Sequence, residues 1–167
     1  MKEIKLTRGE VTIVDDEDFE ELKKYKWCCT YSANKLYAKR AKWLGRAFKP
    51  TGLNVYMHRE IMKPPEGLQV DHIDGNGLNN TRSNLRISTQ QQNLMNASAS
   101  TRKDKSSKYK GVSFTRTNTN KPWKVLIKKD WKQKSYGSFS TEEEAARKYN
   151  EKAKELFGEF AKENVIV

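Results

Sequence analysis

The chain has 167 residues, with 33 Lys and Arg against 21 Asp and Glu, a formal net charge of +12 with both histidines neutral. That length allows one ordinary domain or two small ones at roughly 150 residues per domain, and 6 Phe, 4 Trp and 7 Tyr side chains supply cores that exclude wholesale disorder. No run approaches the about 18 apolar residues of a membrane span, the first residues lack a signal peptide's apolar stretch, and the only cysteines, Cys28 and Cys29, are adjacent, which argues against a structural disulfide or a four-ligand zinc site. The expectation is a cytoplasmic protein that is neither secreted nor membrane-bound, and basic enough to seek a polyanion.

In chain order, Ile4-Lys5-Leu6 and Val11-Thr12-Ile13-Val14 read as short strands around Arg8-Gly9. Asp15 or Asp16 is expected to cap a helix reaching residue 25, with acids in its first turn and Phe19, Leu22 and Tyr25 on one face. Residues 27–31 and 36–42 look like a hairpin about Ser32-Ala33-Asn34-Lys35, which puts the cysteines in the core or on a strand face without a redox role. Residues 55–62 run into a short helix that Pro64-Pro65 must end. Leu68-Gln69-Val70 and Leu85-Arg86-Ile87 are strand-like, and Ser88 or Thr89 then caps a helix to about residue 96.

From Ala97 to Ser107 the chain is small, polar and charged, with no apolar periodicity, and reads as a linker. The charge shifts sharply there: residues 102–134 hold 12 basic and 2 acidic side chains, while 135–167 hold 5 and 7. Residues 109–116, 123–129 and 132–139 are three strand candidates, with turns at Asn118-Thr119-Asn120 and Asp130-Trp131. Ser140 or Thr141 caps a helix whose Ala145, Ala146, Tyr149, Ala153, Leu156 and Phe157 recur at helical spacing, and Gly158 stops it. The second half is therefore expected to be a three-stranded antiparallel sheet packed on one helix.

The densest polar run lies between the two middle strands, from Val70-Asp71-His72-Ile73-Asp74-Gly75-Asn76 to Ser83-Asn84-Leu85-Arg86. A strand delivers an acid and a histidine side by side, and alternation sends them to opposite sides. A Gly- and Asn-rich loop, a second strand and a helix bearing Asn93 and Asn96 follow. Such packing can set Asp71 opposite Asn93 with His72 nearby. Two hard oxygen ligands suit Mg²⁺, which takes its other oxygens from water and phosphate. A histidine titrating near neutrality suits a general base. A lone Asp-His pair is more often structural; the ordered set on a basic chain is more specific.

Met57-His58-Arg59, the run from Val70 to Asn76, Leu78-Asn79-Asn80, Ser83-Asn84-Leu85-Arg86 and Gln92-Asn93 resemble the HNH endonuclease family in its phage homing branch. The resemblance implies an α+β fold with an N-terminal ββα-metal nuclease domain over residues 1–97, extended by extra strands and a helix, with its motif at about 68–97. It makes His72 the general base, Asp71 and Asn93 the protein ligands of one Mg²⁺ or Mn²⁺ per site, and Asn84 the brace of the loop. Asn93 stands where many members have histidine, which speaks against tight zinc binding. Asn96 ranks second as a ligand, and His58 is read as a packing residue.

Tyr109-Lys110-Gly111-Val112, Trp123, Gly137-Ser138-Phe139, Glu143-Glu144-Ala145-Ala146, Tyr149-Asn150 and the stretch from Gly158 to Asn164 resemble the ethylene-response-factor type of DNA-binding domain, spanning 108–167 after a linker at 98–107. That implies a sheet docked in the major groove of double-stranded DNA, with contacts from Lys110, Ser113, Arg116, Lys124, Lys128, Lys132 and Lys134. Lysine in place of arginine suggests more phosphate positioning than base reading. The combined expectation is a monomeric, metal-dependent homing endonuclease in the host cytoplasm if phage-encoded. One site attacks one strand at a time, which makes it a nickase unless it reorients. A non-catalytic DNA-binding regulator is the alternative, and an RNA-binding protein a third reading that the scarcity of stacking aromatics disfavours.

Overall fold

The computed structural model describes residues 1–32, 34–42, 53–97, 106–117 and 120–166. It is a mixed α+β chain of small antiparallel sheets and few helices, dividing into Met1–Gln90 and Gln91–Val167. Most of the linker expected at 98–107, and Asn118 and Thr119 of one expected turn, lie outside the described residues.

In the first unit, β1 (Lys2–Lys5) pairs with β2 (Val11–Val14), matching Ile4 to Thr12 so that both point into the core while Ile13 faces out. Helix α1 spans Asp16–Leu22, with Asp16, Glu17 and Asp18 at its positive end. It stops one turn short of the expected residue 25. The Trp27 indole donates to the Leu22 carbonyl at 2.8 Å, and Tyr25 instead turns beneath the Arg40 guanidinium, 3.9 Å from its ring centre. Nor does the Asp15 side chain cap the helix; its carboxylate accepts the Arg82 backbone N–H at 2.7 Å.

Strands β3 (Cys28–Ser32), β4 (Lys35–Lys42) and β5 (Leu53–Tyr56) form a sheet in that order. Helix α2 (Met57–Met62) buries Met57, His58 and Ile61 and ends at Lys63, whose left-handed φ of 43° precedes the two prolines. Strands β6 (Gln69–His72) and β7 (Leu85–Ser88) then pair antiparallel, Asp71 opposite Arg86 and His72 opposite Leu85. One core runs through Val14, Leu22, Trp27, Ala38, Met57 and Leu85. Cys29 joins it, and burial pushes its thiol pKa up, away from reactivity.

The second unit begins within helix α3 (Gln90–Asn96). Strands β8 (Val112–Phe114), β9 (Trp123–Lys129) and β10 (Lys132–Phe139) form a sheet in the order β10-β9-β8. Strand β8 is shorter than the expected 109–116 because Gly111 turns the chain at a φ of +72°, and a Cβ there would sit 2.1 Å from the Tyr149 ring. Helix α4 (Glu142–Phe157) starts at a reciprocal capping box between Thr141 and Glu144 and lays Ala145, Ala146, Tyr149 and Ala153 on Val112, Val125 and Ile127. Asn164 ties the chain end back: its side chain bonds both backbone groups of Lys110, and its backbone bonds the Asn150 amide. Among the described residues no helix is long and apolar enough to cross a membrane.

Candidate active site

Strand β6 carries Asp71 and His72 into the interior of the first unit, 3 % and 5 % exposed. Their side chains meet different partners, as alternation requires. On one side the Arg86 guanidinium reaches across from β7 and donates twice to Asp71 Oδ2, at 2.9 and 2.8 Å. This pair orients the carboxylate and is itself little exposed. On the other side His72 Nε2 lies 3.2 Å from Asn80 Oδ1. Burial lowers the His72 pKa from its ordinary value, outweighing Asn80, Asp74 and Asp71, which pull it up. The imidazole is thereby neutral at pH 7 and able to accept a proton.

Asn84 stands where the polar loop rejoins β7. Its Oδ1 accepts the Asp74 backbone N–H at 3.0 Å, and its Nδ2 donates to Asp74 Oδ1 at 3.0 Å and to the Asn79 carbonyl at 2.8 Å. Asp74 also accepts from the Asn76 backbone N–H and the Asn79 amide. Although burial raises its pKa, these bonds prevail and hold the carboxyl below the usual range. The loop directly after His72 is thus closed by its own side chains.

His58 lies closer to the site than its reading as a packing residue suggests. Its ring meets the His72 ring edge-on at 5.1 Å between centres and stacks on Tyr56 at 5.5 Å. Burial first, then His72 and Arg59, lower its pKa to about 3. Its Nδ1 is buried with no hydrogen-bond partner among the described residues. Tyr37, at 5.9 Å from the His72 ring centre, closes the aromatic cluster. The sequence carried no signal for Tyr37, and Asn80 and Arg86 stood in the motif without a role.

Asn93 and Asn96 lie on α3, in the second unit, Asn93 half-buried and Asn96 buried. The first unit therefore brings together Asp71, His72 and Asn84 only. No cluster of three or more His, Cys, Asp or Glu side chains suited to a metal occurs among the described residues. The first unit's oxygen donor for such an ion is the Asp71 carboxylate that Arg86 fixes, and a carboxylate of this kind fits a hard cation retaining several waters, such as Mg²⁺.

A family model for HNH endonuclease matches residues 63–95, a span holding β6, β7, Asp71, His72, Asn84 and Asn93. Over 168 aligned positions, 95 % of this chain and 77 % of the relative, the sequence is 35 % identical to an uncharacterised HNH endonuclease of Acanthamoeba polyphaga mimivirus. The chain belongs to the HNH endonuclease family. Protein 3.8 of Escherichia phage T7 is 34 % identical over 98 residues, covering 59 % of this chain and 77 % of that protein. No solved structure matches. Membership makes this HNH protein a nuclease, and nucleases of the family generally use a divalent metal.

The predicted DNA contacts fall on different parts of the second unit. Pairing of β9 with its neighbours matches Lys124 to Ser113 and Ser138, and Lys128 to Gln133, which puts all of these on the face opposite Val125 and Ile127, the residues packed on α4. A bulge between Ser135 and Ser138 preserves that alternation. Lys134 pairs with Ile127 and Lys132 with Lys129, so these two lysines belong to the other face. Arg116 is exposed just beyond β8. Lys110 departs from its expected role as an outward contact. Its ammonium donates to the carbonyls of Met95 and, at 2.6 Å, Ala97, capping the C-terminal end of α3. Burial, with Lys162 nearby, lowers its pKa to about 8.

Proposed function

We propose that this HNH protein is a DNA endonuclease hydrolysing phosphodiester bonds, with His72 as general base. The observation that carries the reading is a buried, neutral imidazole held on β6 beside a carboxylate that Arg86 fixes. His72 takes the proton from a water as its oxygen attacks phosphorus in line. The P–O3′ bond breaks and the departing O3′ takes a proton from solvent water, leaving 5′-phosphate and 3′-hydroxyl ends. Asp71 and Asn93 would hold a divalent ion, Mg²⁺ or Mn²⁺, with β6, β7 and α3 as a ββα-metal arrangement. When bound, that ion neutralises phosphate charge and stabilises the departing oxygen. Asn84 keeps the loop after His72 closed so that the base does not drift.

The second unit supplies double-stranded DNA binding as an ethylene-response-factor type module. The 12-to-2 excess of basic over acidic side chains in residues 102–134 supports this, as does the sheet face bearing Ser113, Lys124 and Lys128. A homing-type enzyme with one site per chain nicks one strand at a time. Plasmid cleavage with Mg²⁺ or Mn²⁺ tests the core of the proposal: wild type cuts, and His72→Ala loses about 10²–10⁴-fold in rate. Equal rates would remove His72 from the role.

A further inference from the structure

We infer that Thr12 and Asn80 are positioning residues that hold His72 in a single tautomer, with the proton on Nε2 and the basic lone pair on Nδ1. Three buried side chains from distant parts of the chain form a directed series: Thr12 and Asn80 are fully buried and His72 nearly so. Its direction is fixed at the far end. The Leu78 carbonyl can only accept, and the Thr12 hydroxyl donates to it at 2.7 Å. Having given its one hydrogen there, Thr12 Oγ1 must accept from Asn80 Nδ2 at 2.8 Å. The second amide hydrogen faces another obligate acceptor, the Gly77 carbonyl, at 3.5 Å. A flipped Asn80 would set its carbonyl oxygen against both of these oxygens. Asn80 Oδ1 therefore faces His72 Nε2, and an oxygen acceptor at 3.2 Å requires the proton there.

The backbone holds the series in place. Ile13 N–H donates to the Leu78 carbonyl at 3.0 Å, and Asn80 N–H donates to the Ile13 carbonyl at 2.8 Å, a parallel bridge between β2 and the loop. Arg82 grips Asp18 with two bonds at 2.8 and 2.7 Å, tying the same loop to α1. The N-terminal hairpin is thus a working part of the site, and its contribution is one hydroxyl. The catalytic consequence rests on His72 being the base proposed above, whereas the tautomer does not.

The test uses the 167-residue chain labelled with ¹⁵N-histidine, at a pH where both imidazoles are neutral, with His72→Ala identifying the His58 signals by elimination. Wild type should show Nε2–H and an unprotonated Nδ1 for His72; an Nδ1–H pattern overturns the inference. Thr12→Val should lose the single tautomer and lower kcat at least about tenfold with KM held, within the roughly 10²–10⁴ that a placed base supplies. Thr12→Ser should restore both. Wild-type tautomer and kcat in Thr12→Val would overturn the role of Thr12. Should that variant not fold, Asn80→Asp, which keeps an oxygen acceptor for His72, decides the matter: Nε2–H supports the inference and Nδ1–H sinks it. Nε2–H in wild type together with full cleavage by His72→Ala would uphold the tautomer and end the general-base reading.

Discussion

Two histidines 5.1 Å apart between ring centres meet in one buried aromatic cluster, yet their surroundings differ. His72 keeps an acceptor at Nε2, whereas His58 packs among aromatic rings with Nδ1 unsatisfied among the described residues, and its pKa falls to about 3. A group that stays neutral in the fold but protonates near 6.5 when unfolded makes the unfolded chain bind more protons between those values. Its stability contribution is complete above about pH 6.5 and is lost as pH falls toward 3, at up to about 1.4 kcal/mol per pH unit. Urea unfolding from pH 7 downward should therefore show a shallower acid loss for His58→Leu than for wild type. Parallel curves would mean that His58 is not buried neutral. Asp71, His72, Asn84 and Asn93 were legible as candidates because each stands in an ordered motif. The bond from Asn80 to Thr12 was not, because 68 residues separate the two and no periodicity records that distance.

At the level of elements, short-range chemistry set most boundaries and tertiary demand moved the rest. The Thr141 capping box, the Lys63 stop before Pro64-Pro65 and the α4 apolar stripe follow from local rules. Helix α1 ends early because Trp27 takes the carbonyl of Leu22, and β8 is trimmed because Gly111 must pass under Tyr149. The polar loop shows the same pressure at Gly77. A Cβ there would lie 2.3 Å from the Leu36 carbonyl oxygen and 2.6 Å from the Tyr37 ring. Since a backbone atom cannot swing aside, Gly77→Ala should destabilise the chain by about 1–3 kcal/mol, the usual cost of overpacking. It should also lower cleavage, because Gly77 accepts from Asn80 and Tyr37 lies beside His72. Urea midpoints within error of wild type would show that β4 yields and that the loop is not wedged against it.

On the scale of the whole molecule, charge and chemistry are divided along the chain. Basic residues concentrate in 102–134, whereas both histidines lie in the first unit. Sheet register divides the lysines further, with Lys124 and Lys128 on the face away from α4 and Lys132 and Lys134 on the other. Replacing Lys124 and Lys128 by Ala should flatten the salt dependence of DNA binding, by about 0.9 in log–log slope for each phosphate the sheet no longer neutralises. The Lys132→Ala, Lys134→Ala pair should change it less; the opposite ranking would move the docking face. By itself the sequence determined the element order, the polar motif and where the charge lies, because composition, capping and spacing are local properties. Strand alternation already paired Lys124 with Lys128 and Lys132 with Lys134; only the tertiary structure decided that these two pairs lie on opposite faces, that Lys110 turns inward to cap α3, and that Thr12 reaches His72 through Asn80. These depend on strand register and on the meeting of distant segments, which packing creates and no local pattern encodes.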